Sequence, residues 1–160
     1  MIIGLGNPRG QYENSRHNFG KMAAEKMLES DLSSDFIVKT LDCFMNESGG
    51  EVSRILNFYK IEPENLVVIH DDLDLPFGEI KIAFDSSSAG HKGVQSIIDI
   101  LKTQKFWRVR LGIGRSDIIS PDKFVLENFT QDEQEKLPEI IDKTIKILIQ
   151  SKPWDNRKPQ

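Results

Sequence analysis

A single cysteine, Cys43, cannot close an internal disulfide. That excludes a disulfide-stapled scaffold and fits a reducing cytosol. No apolar run approaches the roughly 20 residues that span a bilayer. The chain opens directly on the short apolar strand Ile2-Ile3, so we expect neither a leader nor a membrane anchor. Internal repeats and low-complexity stretches are missing as well, which leaves no basis for a repeat array or a disordered linker. Positive charge is not in excess: the chain carries −4. That weighs lightly against a nucleic-acid partner. What remains is 160 residues, 38% hydrophobic and 29% charged, enough for one domain with a sizeable core.

The stretch Ile2 to Asn18 organises the rest. Gly4-Leu5-Gly6 ends the first strand and permits a tight turn, and Pro8 stiffens the exit. Asn14 and Ser15 are N-cap types, so Arg16-His17-Asn18 should open a helix that continues to about Glu29. Phe19, Met22, Ala23, Lys26 and Met27 form its mostly apolar face. Asn7 and His17 would then face one crevice at the carboxyl end of a sheet, where ligands of open α/β folds bind. A dinucleotide fingerprint is the competing reading of the glycines. Arg9 stands where its third Gly belongs, and no strand ending in an acid follows at the usual distance.

Further along, 31–35 reads as a loop and Phe36-Ile37-Val38 as a short strand. Asn46 precedes a helical pattern at Val52, Ile55, Leu56 and Tyr59. Gly49 and Gly50 weaken that helix's start, which makes sense if something approaches the backbone there. Leu66-Val67-Val68-Ile69 reads as a central buried strand that delivers His70-Asp71-Asp72-Leu73-Asp74 at its end. Those three carboxylates suit either a Mg²⁺ ion or the orientation of a histidine.

Residues 79–84 and 106–113 alternate as strands, and Asp85 to Gly90 looks like a mobile loop, a candidate lid. A helix follows His91-Lys92-Gly93, a short one spans Pro121 to Asn128, and a long amphipathic one spans Gln131 to Gln150. Strands and helices alternate with no second core. The expected fold is therefore a single three-layer α/β domain over 1–151, a twisted, mostly parallel mixed sheet with helices on both faces. Residues 152–160 should be a polar tail.

Charge is unevenly spread. Lys81, Lys92, Lys102, Lys105, Arg108, Arg110 and Arg115 against Asp85 and Asp99 make 81–115 a +5 segment, which leaves −9 for the rest. A local basic face on an acidic protein can hold phosphates. Arg108 and Arg110 share one strand face, which must be wet, paired or bound to phosphate.

The motifs Gly4-Leu5-Gly6-Asn7-Pro8, Tyr12…Arg16-His17-Asn18, Phe44-Met45-Asn46…Ser48-Gly49, His70 to Pro76, Ala89-Gly90-His91 and Arg108…Arg110…Gly112-Ile113-Gly114, in this order, resemble bacterial-type peptidyl-tRNA hydrolase. The resemblance implies a cytoplasmic, monomeric, metal-independent enzyme without cofactor, which cleaves the ester between peptide and tRNA. It implies His17 as general base, Asp71 as the carboxylate that orients it, and Asn7 and Asn46 as carboxamides positioning water, carbonyl and peptide. By the same resemblance Tyr12 would lie beside the tRNA 3′ end, and Lys81, Arg108 and Arg110 would suit its phosphates. Lys92 departs from the family's usual Asn. We expect its ammonium to point toward the tRNA phosphates or the reacting carbonyl, and to lower the pKa of His17. Two alternatives stand beside this reading: a catalytically weakened RNA-binding relative, and a Mg²⁺-dependent phosphoesterase using Asp71, Asp72 and Asp74.

Overall fold

The structure is a computed structural model that describes residues 1–30 and 36–152. Its strands are β1 (Ile2–Gly4), β2 (Val38–Thr40), β3 (Val67–Asp72), β4 (Ile80–Phe84) and β5 (Trp107–Gly112). Its α-helices are α1 (Phe19–Leu28), α2 (Ser48–Tyr59), α3 (Lys92–Leu101), α4 (Pro121–Phe124) and α5 (Gln131–Ser151). The sheet order is β2-β1-β3-β5-β4, parallel except for β4, which runs antiparallel to β5. This is the expected mixed α/β sheet.

Alternation along the strands divides the core in two. Ile2, Val67, Ile69, Val109 and Leu111 meet Phe19, Ala23 and Met27 of α1 and Ile141, Ile145 and Leu148 of α5. Ile3 and Val68 meet Val52, Ile55 and Leu56 of α2 and Val94 and Ile97 of α3. Helices on both faces explain why β3 is buried along its whole length, as its unbroken apolar run requires.

Several boundaries differ from the sequence pattern. β2 begins two residues later than expected, because Val38 is the residue in register with Ile2. The expected loop at 31–35 and nearly all of the tail lie outside the described residues. Strand β3 runs on through His70, Asp71 and Asp72 instead of ending before them, since β5 pairs with it as far as Gly112. Helix α4 stops at Phe124. The next carbonyls are taken elsewhere: Val125 accepts from the His17 amide at 2.8 Å and Glu127 from the Arg16 amide at 2.9 Å.

Two glycines set how closely the layers approach. A Cβ on Gly20 would collide with the Ile69 carbonyl, so α1 lies directly on β3. A Cβ on Gly49 would collide with the Ser96 carbonyl where α2 crosses α3. The backbone approach expected at Gly49 is thus made by a neighbouring helix.

Candidate active site

β1 has β2 on one side and β3 on the other, while α1 and α2 cover opposite faces. The carboxyl ends of β1 and β3 therefore open at a topological switch point. A cleft of about 530 Å³ lies there, lined among others by Asn7, Tyr12, His17, Asn46, Asp71 and His91.

His17 sits in a single 3₁₀ turn, Arg16–Asn18, that leads into α1. Ser15 occupies the N-cap but does not cap with its side chain; its Oγ donates back to the Tyr12 carbonyl at 2.8 Å. The turn is braced by Arg16, which the charge pattern alone would leave in solvent. Its guanidinium is buried over the Phe124 ring, pairs with Glu133 at 2.6 Å and donates to the Asn128 carbonyl.

At the centre is Asp71, wholly buried at the end of β3. His17 Nδ1 lies 2.9 and 3.0 Å from its two carboxylate oxygens. An ionised carboxylate only accepts, so Nδ1 carries the hydrogen and Nε2 the lone pair. A second imidazole completes the arrangement. His91 Nδ1 accepts from the amides of Gly93 (3.1 Å) and Val94 (3.2 Å), capping α3, so its Nε2 is the protonated nitrogen and donates to Asp71 at 2.9 Å. His70, fully buried, donates from Nδ1 to the Asp71 main-chain carbonyl at 2.7 Å. All three histidines of the chain therefore bond to this one residue.

These contacts set the protonation states. Burial alone would raise the Asp71 carboxyl, but the two facing imidazoles and their hydrogen bonds outweigh it and hold the group far below the usual carboxylate range. Burial lowers His17; the Asp71 charge and hydrogen bond outweigh that, and its pKa is raised above the ordinary 6.5. Lys92 pushes His17 down as expected, but Asp122 pushes it up, and the net direction is upward. Burial drives His70 well below 6.5, so it is neutral.

Asn7 is buried and fixed on every side. Its main chain exchanges hydrogen bonds with the Asn18 carboxamide at 2.8 and 3.2 Å, and its carbonyl also accepts from Lys21 Nζ at 3.0 Å. Its Oδ1 accepts from the Met45 amide at 3.0 Å, which leaves the Nδ2 hydrogens as the donors it can offer the cleft. Lys21, rather than Lys26, belongs to the buried face of α1, with its ammonium also on the Leu41 carbonyl at 3.3 Å. No pattern in the sequence marks this: Lys21 reads there as one more surface cation.

The remaining expected site residues divide. Tyr12, half-buried, and Asn46, exposed, line the cleft, as does Lys92. The Lys92 ammonium is engaged with Asp122 of α4 at 3.1 Å. Lys81, on β4, is exposed and pairs with Glu79 at 3.0 Å. Arg110 is half-buried and donates to Asp72 at 2.7 Å. Arg108 is only 1% exposed. It donates to the Ser87 carbonyl at 2.6 Å, while its Nε and one terminal nitrogen have no hydrogen-bond partner among the described residues. Burial, then Arg110, push its pKa down to about 10. Of the three possibilities for this strand face, pairing holds for Arg110, on Asp72, whereas Arg108 has a single main-chain carbonyl.

The loop expected to act as a lid is tied down. Besides the Arg108 bond, Ser88 Oγ donates to Gln95 at 2.7 Å and Gln104 reaches the Asp85 carbonyl at 3.4 Å. The three clustered carboxylates turn apart: Asp71 to the histidines, Asp72 to Arg110 and the Asp74 amide, Asp74 to Arg115. That disposition does not fit a Mg²⁺ ion shared among them. Among the described residues, the metal-capable ligand atoms that gather are those of His17, Asp71 and His91.

The peptidyl-tRNA hydrolase family profile matches residues 33–154. A peptidyl-tRNA hydrolase of Aquifex aeolicus is 35% identical, with 94% of this chain and 88% of that protein covered. One from Mycobacterium tuberculosis is 36% identical, with 98% and 95% covered. The chain belongs to the peptidyl-tRNA hydrolase family. The crystal structure of peptidyl-tRNA hydrolase from Acinetobacter baumannii superposes with a TM-score of 0.79 at 29% identity, covering 95% of this chain and 89% of that one. The fold, the ordered motifs and the relatives thus agree. Among the described residues no helix is long and apolar enough to cross a membrane.

Proposed function

We infer that this protein hydrolyses the ester between peptide and tRNA in peptidyl-tRNA, releasing both. The observation that carries the reading is the His17–Asp71 pair, 2.9 Å apart, on the wall of a cleft at the switch point of the sheet. His17 Nε2 takes a proton from water as the oxygen adds to the ester carbonyl. Asp71 holds the tautomer and offsets the charge of the imidazolium. The imidazolium then returns the proton to the departing ribose oxygen. General-base help of this kind contributes about 10²–10⁴-fold.

Asn7 is suited to the carbonyl side, because the Met45 amide on its Oδ1 fixes the orientation of the carboxamide and leaves the Nδ2 hydrogens to donate. Such a donor, aimed where negative charge develops, is worth about 10²–10³-fold. Asn46 and Tyr12 line the rest of the cleft and suit the peptide backbone and the tRNA 3′ end. On the β4–β5 face, Lys81 and Arg110 are the expected cations with surface to offer a phosphate, and such contacts supply affinity without reading sequence. Arg108, buried on Ser87, suits the support of the 85–90 loop better.

The test is hydrolysis of an N-acylated aminoacyl-tRNA by the purified protein. Release of free tRNA and acyl-amino acid at catalytic rates supports the reading. Tight tRNA binding without turnover would make the protein the weakened RNA-binding relative instead.

A further inference from the structure

Lys92 and Asp122 close a bridge across the mouth of the cleft. Lys92 is the first residue of α3, adjacent to His91 and therefore to Asp71. Asp122 is the second residue of α4, on the facing wall. Their side chains meet at 3.1 Å yet remain 63% and 78% exposed. The two arms are not equally mobile. The segment after Asp122 is tied to the turn bearing His17 by the Val125 carbonyl at 2.8 Å and the Glu127 carbonyl at 2.9 Å. Asp122 is a short side chain on that fixed wall, whereas Lys92 is an ammonium on a flexible four-carbon stem. When the pair opens, Lys92 is the partner that moves.

Any ester held by His17 sits on the terminal ribose of a nucleic acid, and that nucleotide's own phosphodiester is one sugar away. On the reading of the site given above, we propose that Asp122 is an internal counter-ion that occupies Lys92 in the empty cleft, and that a substrate phosphate near the tRNA 3′ end displaces it. The carboxylate stands in for the phosphate until the substrate arrives. An exposed ion pair is weak enough to exchange readily. The pair is therefore a placeholder. It holds the cation ready without leaving it uncompensated, and the ligand that opens it is the one that brings a phosphate to exchange.

The experiment measures the Kd of uncharged tRNA at several salt concentrations for the wild type, Asp122→Asn, Lys92→Gln and the double variant. A parallel assay follows turnover of N-acyl-aminoacyl-tRNA and of N-acyl-aminoacyl-adenosine, which has no phosphate. Asp122→Asn should tighten tRNA binding about two- to fivefold, the exchange of one exposed pair. Lys92→Gln should weaken binding and reduce the salt slope by about one phosphate contact, roughly 0.7–0.9. In the Lys92→Gln background the effect of Asp122→Asn should disappear, and with Lys92 present the fall in KM that Asp122→Asn brings should be confined to the phosphate-bearing substrate. An Asp122→Asn gain of the same size with and without Lys92 would mean simple repulsion of tRNA and would overturn the proposal. So would an unchanged Kd in both single variants. Failure of the wild type to turn over acyl-tRNA would instead refute the hydrolase reading, which the binding arm does not use.

Discussion

His91 is bonded to Asp71 through the one nitrogen its other duties leave available. The cap on α3 consumes Nδ1, so the Nε2 hydrogen at 2.9 Å is committed to the carboxylate that His17 also uses. Asp71 is thereby steered from two sides, and its charge is shared between two imidazoles.

A positioning role for His91 follows, acting through Asp71. His91→Asn retains a good N-cap for α3 but cannot span to the carboxylate. With one donor lost, Asp71 puts more of its charge on His17. The acidic limb of kcat/KM should therefore move to higher pH, by up to about one unit. Turnover at neutral pH should fall several-fold. Loss of stability with an unmoved pH profile would reduce His91 to a helix cap.

Asp71→Asn should shift the profile the other way. The His17 pKa is raised only because the Asp71 charge and hydrogen bond outweigh burial. Once that charge is removed, burial prevails and the pKa falls below 6.5, so the acidic limb moves to lower pH. Turnover should drop at least about tenfold, because an amide can also stabilise the wrong tautomer. The pH–rate profile from pH 5 to 9 checks both the sign and the loss.

The two arginines of β5 should behave differently although they share a face. Arg110 is half-buried on Asp72, so Arg110→Ala should weaken tRNA binding and reduce its salt slope by roughly 0.7–0.9. Arg108 is buried on the Ser87 carbonyl, so Arg108→Met should leave that slope unchanged. It should instead loosen the 85–90 loop, raising its hydrogen exchange. The melting temperature should change little, because the lost bond is offset by removal of an incompletely paired buried charge. Salt titrations of tRNA binding with each variant separate the two roles.

Much of this was legible in the chain itself. The unbroken apolar run of β3 and the period of α1 pointed to a sheet covered on both faces, and the ordered motifs pointed to His17 and Asp71. What could not be read were contacts between distant elements. His91 lies 20 residues from Asp71, and only the fold, which brings the start of α3 to the end of β3, joins them. Lys21 and Arg16 are buried cations whose partners are main-chain carbonyls or, for Arg16, Glu133 across more than a hundred residues. Charge type alone would leave both in water. Arg108 and Arg110 have the same period, and the loop carbonyl of Ser87 distinguishes them. Asp122, which counters Lys92, belongs to no motif.

The most direct measurement is single-turnover cleavage of an N-acylated aminoacyl-tRNA by His17→Ala, alongside the Kd of uncharged tRNA for the same variant. The expected result is a loss of at least about a hundredfold in the chemical step with tRNA affinity nearly unchanged, since a general base at His17 would act on water and not on docking. A variant that cleaves within a few-fold of the wild-type rate would contradict it.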